Sequence, residues 1–297
     1  MSLFFSQFID YKVYNQWLSP ITIKWYKRSF DFLSGYLPDL DDLSIYQDHK
    51  KWSYAMARIS EYRWWSPVSY NTMRKLYNTF CIYLVDEWHI THNPFDKIPK
   101  MKEPKRIPKS YSLNQVSDIK KYTLSVFPWL DFLDIRNKAL VLTLLYTWIR
   151  RDELLKLETS RIDIINKTIY IFQWKGSKDR IVPIPNALYP YIEKYALLRN
   201  QTFFNTRSDF FFCAKAWWKL TEKNLYYVFK KIKEKTGFDV TTHRFRHTYA
   251  TELIRNNIDV FNVSKILGHS DIRTTQIYLT ANVAKIADSI NSVALYH

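Results

Sequence analysis

The stretch Thr-His-Arg-Phe-Arg-His-Thr-Tyr-Ala-Thr occupies residues 242–251, Leu-Gly-His-Ser follows at 267–270, and Thr-Thr-Gln-Ile-Tyr follows at 274–278. In the first stretch, His243 and Arg246 are three residues apart, so a helix would place both side chains on one face. An imidazole and a guanidinium placed in this way can bind one phosphate group together. A lone His-x-x-Arg pair is more typical of a solvated helix surface, so the interpretation depends on the residues that accompany it.

The composition excludes several classes of protein. Apolar residues make up 47% of the 297, with 22 Tyr, 19 Phe and 11 Trp, which is too much apolar material for a disordered chain. Two cysteines, Cys81 and Cys213, cannot form a disulfide framework or a four-thiolate zinc site, and they favour a reducing compartment. The N-terminus does not resemble a signal peptide, and the longest strongly apolar stretch, 139–146, is far shorter than the ~20 residues that span a bilayer. We therefore expect a soluble intracellular protein with no membrane partner.

The charge of the chain indicates a polyanionic partner. Lys and Arg number 44 against 28 Asp and Glu, which gives a formal net charge of +16. A positive potential of this size attracts polyanions, of which nucleic acid is the commonest large one. A basic enzyme and a membrane-surface protein are alternatives that the composition alone does not separate from a nucleic-acid-binding protein.

Apolar periodicity predicts a helical N-terminal domain over residues 1–104. Helices are expected over 20–36 and 48–62, and a third carries an amphipathic stripe interpreted as core: Met73, Leu76, Tyr77, Phe80, Leu84 and Trp88. Between residues 94 and 109, four prolines alternate with six basic residues, a pattern typical of an extended linker. A solvated charge run explains this composition. So does a tether across a phosphate backbone, for which the candidate contacts are Lys105, Arg106 and Lys109.

The second domain, residues 105–297, combines helices with a small sheet. A long apolar stretch over 135–157 is predicted to be helical. Residues 162–171 alternate around the turn Asn166-Lys167, and 180–184 is predicted to be a third strand. Helical periodicity returns from residue 189 to the end, where the last segment is amphipathic. The predicted fold class is therefore mainly α with a small antiparallel sheet (α+β).

The three quoted stretches resemble the C-terminal signature of the tyrosine recombinases, a family that includes phage integrases and Xer-type recombinases. These enzymes carry His-x-x-Arg, then Leu-Gly-His, then a nucleophilic tyrosine nine residues beyond that second histidine, which is the spacing of His269 and Tyr278. Together with two segments further upstream, these short matches stand in the order of the family pattern, which makes a chance origin improbable.

Two upstream segments are also similar to the family pattern. Residues 146–154 resemble the segment that supplies its first arginine, here Arg150, and residues 175–180 resemble its lysine hairpin, here Lys175. Trp148 stands where the family usually has glycine, so the geometry of this loop is left open.

The resemblance implies a helical core-binding domain and a catalytic domain that cleaves and rejoins DNA strands without metal or ATP. The implied catalytic residues are Arg150, Lys175, His243, Arg246, His269 and the nucleophile Tyr278, supported by Glu153. The residue types suit this chemistry, because an anionic phosphodiester needs cations on its non-bridging oxygens before a nucleophile can attack. By resemblance, Lys175 is the general acid for the 5′ oxygen, His243 exchanges a proton with Tyr278, and Glu153 orients Arg150 from the same helical face.

The same residues also fit other interpretations. His243 and His247 have the spacing of a zinc-binding pair, but no Glu lies between them and the cysteines are distant in sequence, so no metal site is expected. A degenerate DNA-binding relative, a type IB topoisomerase and a telomere resolvase are the alternative functions.

The resemblance also implies partners and a location. The expected partner is double-stranded DNA with a specific recombination site, on which the chain would assemble as a tetramer. The C-terminal helix would dock either on its own domain or on a neighbouring copy. The expected location is the cytoplasm of a prokaryotic cell or of a viral host cell.

Overall fold

The computed structural model divides the chain into two compact units, Met1–Lys105 and Arg106–His297. The structure describes residues 2–16, 18–37, 39–104, 109–127, 131–147, 149–172, 179–202, 208–214, 218–268 and 275. Among the helices of these ranges, none is both long and apolar enough to cross a membrane.

The first unit is helical. Its helices are α1 (Leu3–Gln16), α2 (Pro20–Leu33), α3 (Leu43–Gln47), α4 (His49–Arg63) and α5 (Pro67–Asp86), followed by a 3-10 turn at Pro94–Asp96. The local sequence determines where several of these helices begin. Ser19 and Ser66 cap α2 and α5, whose first residues are prolines, and Asp48 caps α4. A proline at this position loses nothing, because its missing N–H would have no partner inside the helix.

Aromatic side chains fill the core of this unit. Phe5 stacks on Phe30 with 3.6 Å between ring centroids, and Phe80 meets Phe30 edge-to-face at 4.8 Å. The predicted stripe on α5 is buried from Leu76 to Leu84, but its last member, Trp88, is 93% exposed. That assignment was wrong because α5 ends at Asp86 and Trp88 adopts a positive φ of 60°, which turns its side chain away from the helical repeat.

The second unit combines helices with one three-stranded sheet, so the predicted fold class is confirmed. The antiparallel strands β1 (Ile162–Asp163), β2 (Thr168–Ile171) and β3 (Arg180–Pro183) lie in sequence order, with Ile171 opposite Arg180 at one end. The helices are α6 (Leu113–Val126), α7 (Phe132–Tyr146), α8 (Arg151–Leu155), α9 (Tyr189–Thr202), α10 (Glu222–Thr236), α11 (Thr242–Arg255) and α12 (Val260–Leu267).

Helix α7 is the centre of this unit. Every residue from Ile135 to Leu144 is buried, and α6, α9 and α11 pack around the helix. The continuous helix predicted over 135–157 is wrong, because α7 ends at Tyr146 and α8 starts only at Arg151. Thr147 adopts an extended backbone there, and its hydroxyl donates to the carbonyl of Thr143 at 2.6 Å.

Candidate functional site

Two predicted catalytic arginines converge on one turn. Arg150 lies at the start of α8 and Arg246 lies in α11. Arg150 Nη2 donates to the carbonyl oxygen of Gly268 at 2.6 Å, and Arg246 Nη2 donates to the adjacent carbonyl oxygen of Leu267. The two guanidinium groups therefore bind consecutive peptide units, immediately before His269 in the sequence.

The backbone of Gly268 makes this turn possible. Helix α12 ends at Leu267, and Gly268 follows with φ 65° and ψ 44°, a left-handed conformation that ends the helix. A β-carbon at this position would lie 3.5 Å from Arg180 Nη1 and 3.8 Å from Arg150 Nη1, which is ordinary contact. Glycine is favoured here by the positive φ, which costs other residues energy, and not by lack of space.

Glu153 holds Arg150 in place. Its Oε1 accepts from Arg150 Nη1 at 2.9 Å and its Oε2 accepts from the Arg150 backbone N–H at 2.8 Å. Arg150 is the residue before α8 and has an extended backbone. The prediction that Arg150 and Glu153 share a helical face is therefore wrong. The predicted contact between the two residues is nevertheless present.

The electrostatic setting keeps Glu153 ionised. Burial by itself would raise the pKa of this carboxyl group, but the hydrogen bonds and charge of Arg180, together with the hydrogen bonds from Arg150, lower that pKa below its ordinary value. A carboxylate in this state accepts hydrogen bonds from both guanidinium groups throughout the neutral range.

The His-x-x-Arg pair divides between surface and interior. Thr241 caps the start of α11 by accepting from the N–H of Arg244 at 3.3 Å. His243 is exposed in the first turn, whereas Arg246 is 8% exposed. The pair therefore does not present two equally accessible side chains: the imidazole faces solvent, and the guanidinium is buried against the end of α12.

His247 and Arg244 have different surroundings from the predicted catalytic residues. Burial, followed by the charges of His243 and Arg246, lowers the pKa of His247. The guanidinium of Arg244 lies over the ring of Tyr111 at 4.2 Å and donates to the Ser110 carbonyl at 3.3 Å. Arg244 therefore connects the start of α11 to the segment before α6.

An open cavity of about 540 Å³ lies beside His243. Its lining includes Lys109, Arg244 and the ion pair of Lys233 with Asp239, so positive charge predominates around it. Lys109, predicted to contact DNA, is exposed on this wall. In the described ranges, no three His, Cys, Asp or Glu side chains come together as a metal site requires.

Several predicted site residues lie outside the described residues. These are Lys105, Arg106, Lys175, His269 and Tyr278. Trp148, two residues before Arg150, also lies outside the described residues. Arg180 was missed by the sequence analysis as a site residue. The only available signal was its place at the end of the lysine hairpin segment, which does not reveal that it meets Glu153.

Comparisons with known proteins identify the family to which the chain is related. The sequence profile described as the phage integrase family matches residues 112–285. Tyrosine recombinase XerD of Oceanobacillus iheyensis is 30% identical over 74% of this chain and 72% of its own length. Tyrosine recombinase XerD of Listeria monocytogenes is 27% identical over 95% of each chain. A crystal structure of the XerH site-specific recombinase, bound to a palindromic difH substrate in a post-cleavage complex, has a TM-score of 0.75 at 17% identity and covers 92% of this chain and 80% of that chain.

Proposed function

This chain belongs to the phage integrase family, and from that membership we propose that it is a site-specific DNA recombinase that cleaves and rejoins strands through a covalent 3′-phosphotyrosyl intermediate. The observation that carries the proposal is the convergence of Arg150 and Arg246 on the carbonyls of Gly268 and Leu267. It joins three segments that match the family signature, around residues 150, 246 and 268.

The two arginines supply permanent positive charge. A guanidinium group remains protonated at any physiological pH and presents several N–H donors in a fixed plane. With Arg150 and Arg246 next to each other, the non-bridging oxygens of a scissile phosphate would be bound as negative charge develops on them. Donors of this kind are worth roughly 2.7–4 kcal/mol each in the transition state.

The remaining roles are assigned from the sequence pattern. Tyr278 attacks the phosphorus atom and displaces the 5′ oxygen, which takes a proton from Lys175 as it leaves. His243 accepts the proton of the Tyr278 hydroxyl, and its exposed position in α11 leaves it accessible to DNA. His269 donates a further hydrogen bond to the phosphate. The phosphotyrosyl ester conserves the energy of the broken bond, so religation by a 5′ hydroxyl needs no ATP.

The proposed partner is duplex DNA carrying a recombination site. The net charge of +16 and the basic wall beside His243 favour binding to phosphates. Lys105, Arg106 and Lys109 are proposed to contact the backbone from the linker between a core-binding domain, residues 1–104, and a catalytic domain, residues 105–297. The reaction would take place in the cytoplasm of a prokaryotic cell or of a viral host cell.

We also propose that four copies assemble on DNA and exchange their C-terminal segments. The segment after Tyr278 carries four apolar residues at helical spacing, Val283, Ile286, Ile290 and Val293. An apolar helical face of this kind needs a partner surface. Serine at Ile286 and Ile290 should abolish the tetrameric complex on DNA while a single copy still binds. Native mass spectrometry of the protein–DNA complex would measure this, and an unchanged tetramer would contradict it.

The catalytic proposal is tested with nicked duplexes that carry candidate sites, in EDTA and without ATP. We expect a covalent protein–DNA adduct on a denaturing gel, linked to the 3′ phosphate, that is absent from Tyr278→Phe. Tyr227→Phe is the matched control, because Tyr227 is a half-exposed tyrosine of the same unit, 52% exposed on α10. Tight binding to a verified site with no adduct would instead identify a DNA-binding relative that does not cleave.

A further inference from the structure

We propose that Arg180 is a positioning residue of this site, which fixes Glu153 so that Glu153 can fix Arg150. This inference rests on the proposed recombinase function. It concerns a residue that the family signature in the sequence did not single out.

Two arginines bind the carboxylate of Glu153. Arg180 Nη1 donates to Oε1 at 3.0 Å and Arg180 Nη2 donates to Oε2 at 2.6 Å. Arg150 donates to the same two oxygens, from Nη1 at 2.9 Å and from its backbone N–H at 2.8 Å. Each carboxylate oxygen therefore accepts one bond from each arginine, and the planar fork of Arg180 determines the plane in which the carboxylate lies.

The contact is shielded from water. The side chains of Arg180 and Glu153 are 9% and 11% exposed, whereas that of Arg150 is 33% exposed. A buried fork restrains the carboxylate much more than a surface pair would, because water does not compete for its hydrogen bonds. Arg150 is thus held by a rigid group, while a third of its own side chain stays exposed where a substrate could contact it.

Arg180 also has a particular place in the sheet. It is the first residue of β3 and lies opposite Ile171, so the two residues form the last pair before residues 172–179. Lys175 belongs to that segment. The pairing of Arg180 with Glu153 therefore connects the start of β3 to the start of α8, and Arg180 lies next to Gly268 as well.

The charge balance fits a positioning role. Two guanidinium groups, Arg150 on the side of α8 and Arg180 on β3, face the single carboxylate of Glu153. These contacts place two positive charges against one negative charge. Without Arg180, the carboxylate would lose two hydrogen bonds and would be free to rotate and bind Arg150 in a different arrangement.

The test compares Arg180→Gln and Arg180→Lys with the full-length protein. Arg161→Gln is the matched control, because Arg161 pairs with Glu158 at 2.9 Å in the same unit. Its described contacts, with Glu158 and with the ring of Phe172, do not include Glu153. Two quantities are measured from pH 5 to 8: the rate of adduct formation on a nicked site, and the carboxyl chemical shifts of ¹³C-labelled glutamate, with Glu153→Gln to assign the signal.

We expect Arg180→Gln to slow adduct formation by roughly 100-fold at neutral pH, the order of loss that follows from a misplaced catalytic group. Its rate should fall further toward pH 5, because Glu153 then takes up a proton in a range where the wild type does not, and the carboxyl signal should titrate in the same range. Arg180→Lys should restore the pH profile, since it keeps the charge, but not the full rate, since an ammonium group does not form the fork. Arg161→Gln should match the wild type in both measurements.

An Arg180→Gln rate that runs parallel to the wild-type rate at every pH, with an unshifted Glu153 signal, would overturn the proposal. So would full recovery of the rate in Arg180→Lys, because charge alone would then be sufficient. Failure of the proposed function gives a different result, because the wild type itself would then form no Tyr278-dependent adduct. In that case the proposed positioning role would also be wrong, even if the carboxyl signal of Glu153 shifted.

Discussion

The guanidinium group of Arg180 and the carboxylate of Glu153 meet through two hydrogen bonds, although 27 residues separate them in the sequence. Both side chains are about nine-tenths buried. Since removal of one member of a buried pair leaves the other charge without compensation, the site depends on the pair for its stability as well as for its geometry.

Glu153→Ala should therefore lower the free energy of unfolding by roughly 3–5 kcal/mol at pH 7. The matched control is Glu158→Ala, whose side chain is 39% exposed and pairs with Arg161. Such a pair is worth about 1 kcal/mol or less. Chemical denaturation of both variants measures the difference, and equal losses would contradict the buried-pair account.

The same pair predicts a pH dependence. The pKa of Glu153 is lower in the folded protein than in the unfolded chain, where it is about 4.3. The stabilisation is therefore fully present above that unfolded value and is lost as the pH falls through the folded pKa. Wild type and Glu153→Gln should show converging unfolding free energies below about pH 4. A gap that stays constant from pH 7 to pH 3 would refute this.

Alanine substitutions at Gly268 and Gly237 separate the energetic cost of the left-handed backbone conformation from the effect on the catalytic arginines. Both have positive φ, 65° and 75°, and both follow the end of a helix. Alanine at either position should destabilise the protein by roughly 1–2 kcal/mol, because a β-carbon is disfavoured in the left-handed region. Only Gly268→Ala should also slow adduct formation, since only Gly268 binds Arg150. Equal adduct rates in the two variants would show that the turn does not set the arginine geometry.

His247 predicts a loss of stability in mild acid. Burial, His243 and Arg246 lower its folded pKa below the unfolded value of about 6.5. Below pH 6.5 the unfolded chain therefore binds the proton more readily than the folded protein does, and stability falls as the pH decreases. His247→Gln should lose less thermal stability between pH 7.5 and pH 5.5 than the wild type. His92→Gln, at an exposed histidine of the other unit, is the control for histidine loss as such.

Most of the secondary structure could be predicted because its signals are local. Capping residues such as Ser112 and the alternation around Asn166 need only a few neighbours in sequence. The end of α7 could not be predicted, since no glycine or proline marks it and the start of α8 depends on the bond between Glu153 and the Arg150 backbone. Arg180 was missed for the same kind of reason, because its role exists only once distant segments are folded together.

Arg246 gives the most direct test of the convergence on residues 267 and 268. Lysine would keep the charge but would lack the planar group that can bind the Leu267 carbonyl and still direct further N–H donors elsewhere. Arg246→Lys should therefore slow adduct formation by roughly 10²–10³-fold. Arg244→Lys is the matched control two residues away: Arg244 lies over Tyr111 and binds the Ser110 carbonyl, so its loss should lower the melting temperature and leave the adduct rate within a few-fold. Single-turnover assays on the nicked site, at a temperature where both variants are folded, measure the two rates. If Arg244→Lys slowed the reaction as much as Arg246→Lys, the effect would come from damage to α11, and Arg246 would have no special part in binding the phosphate.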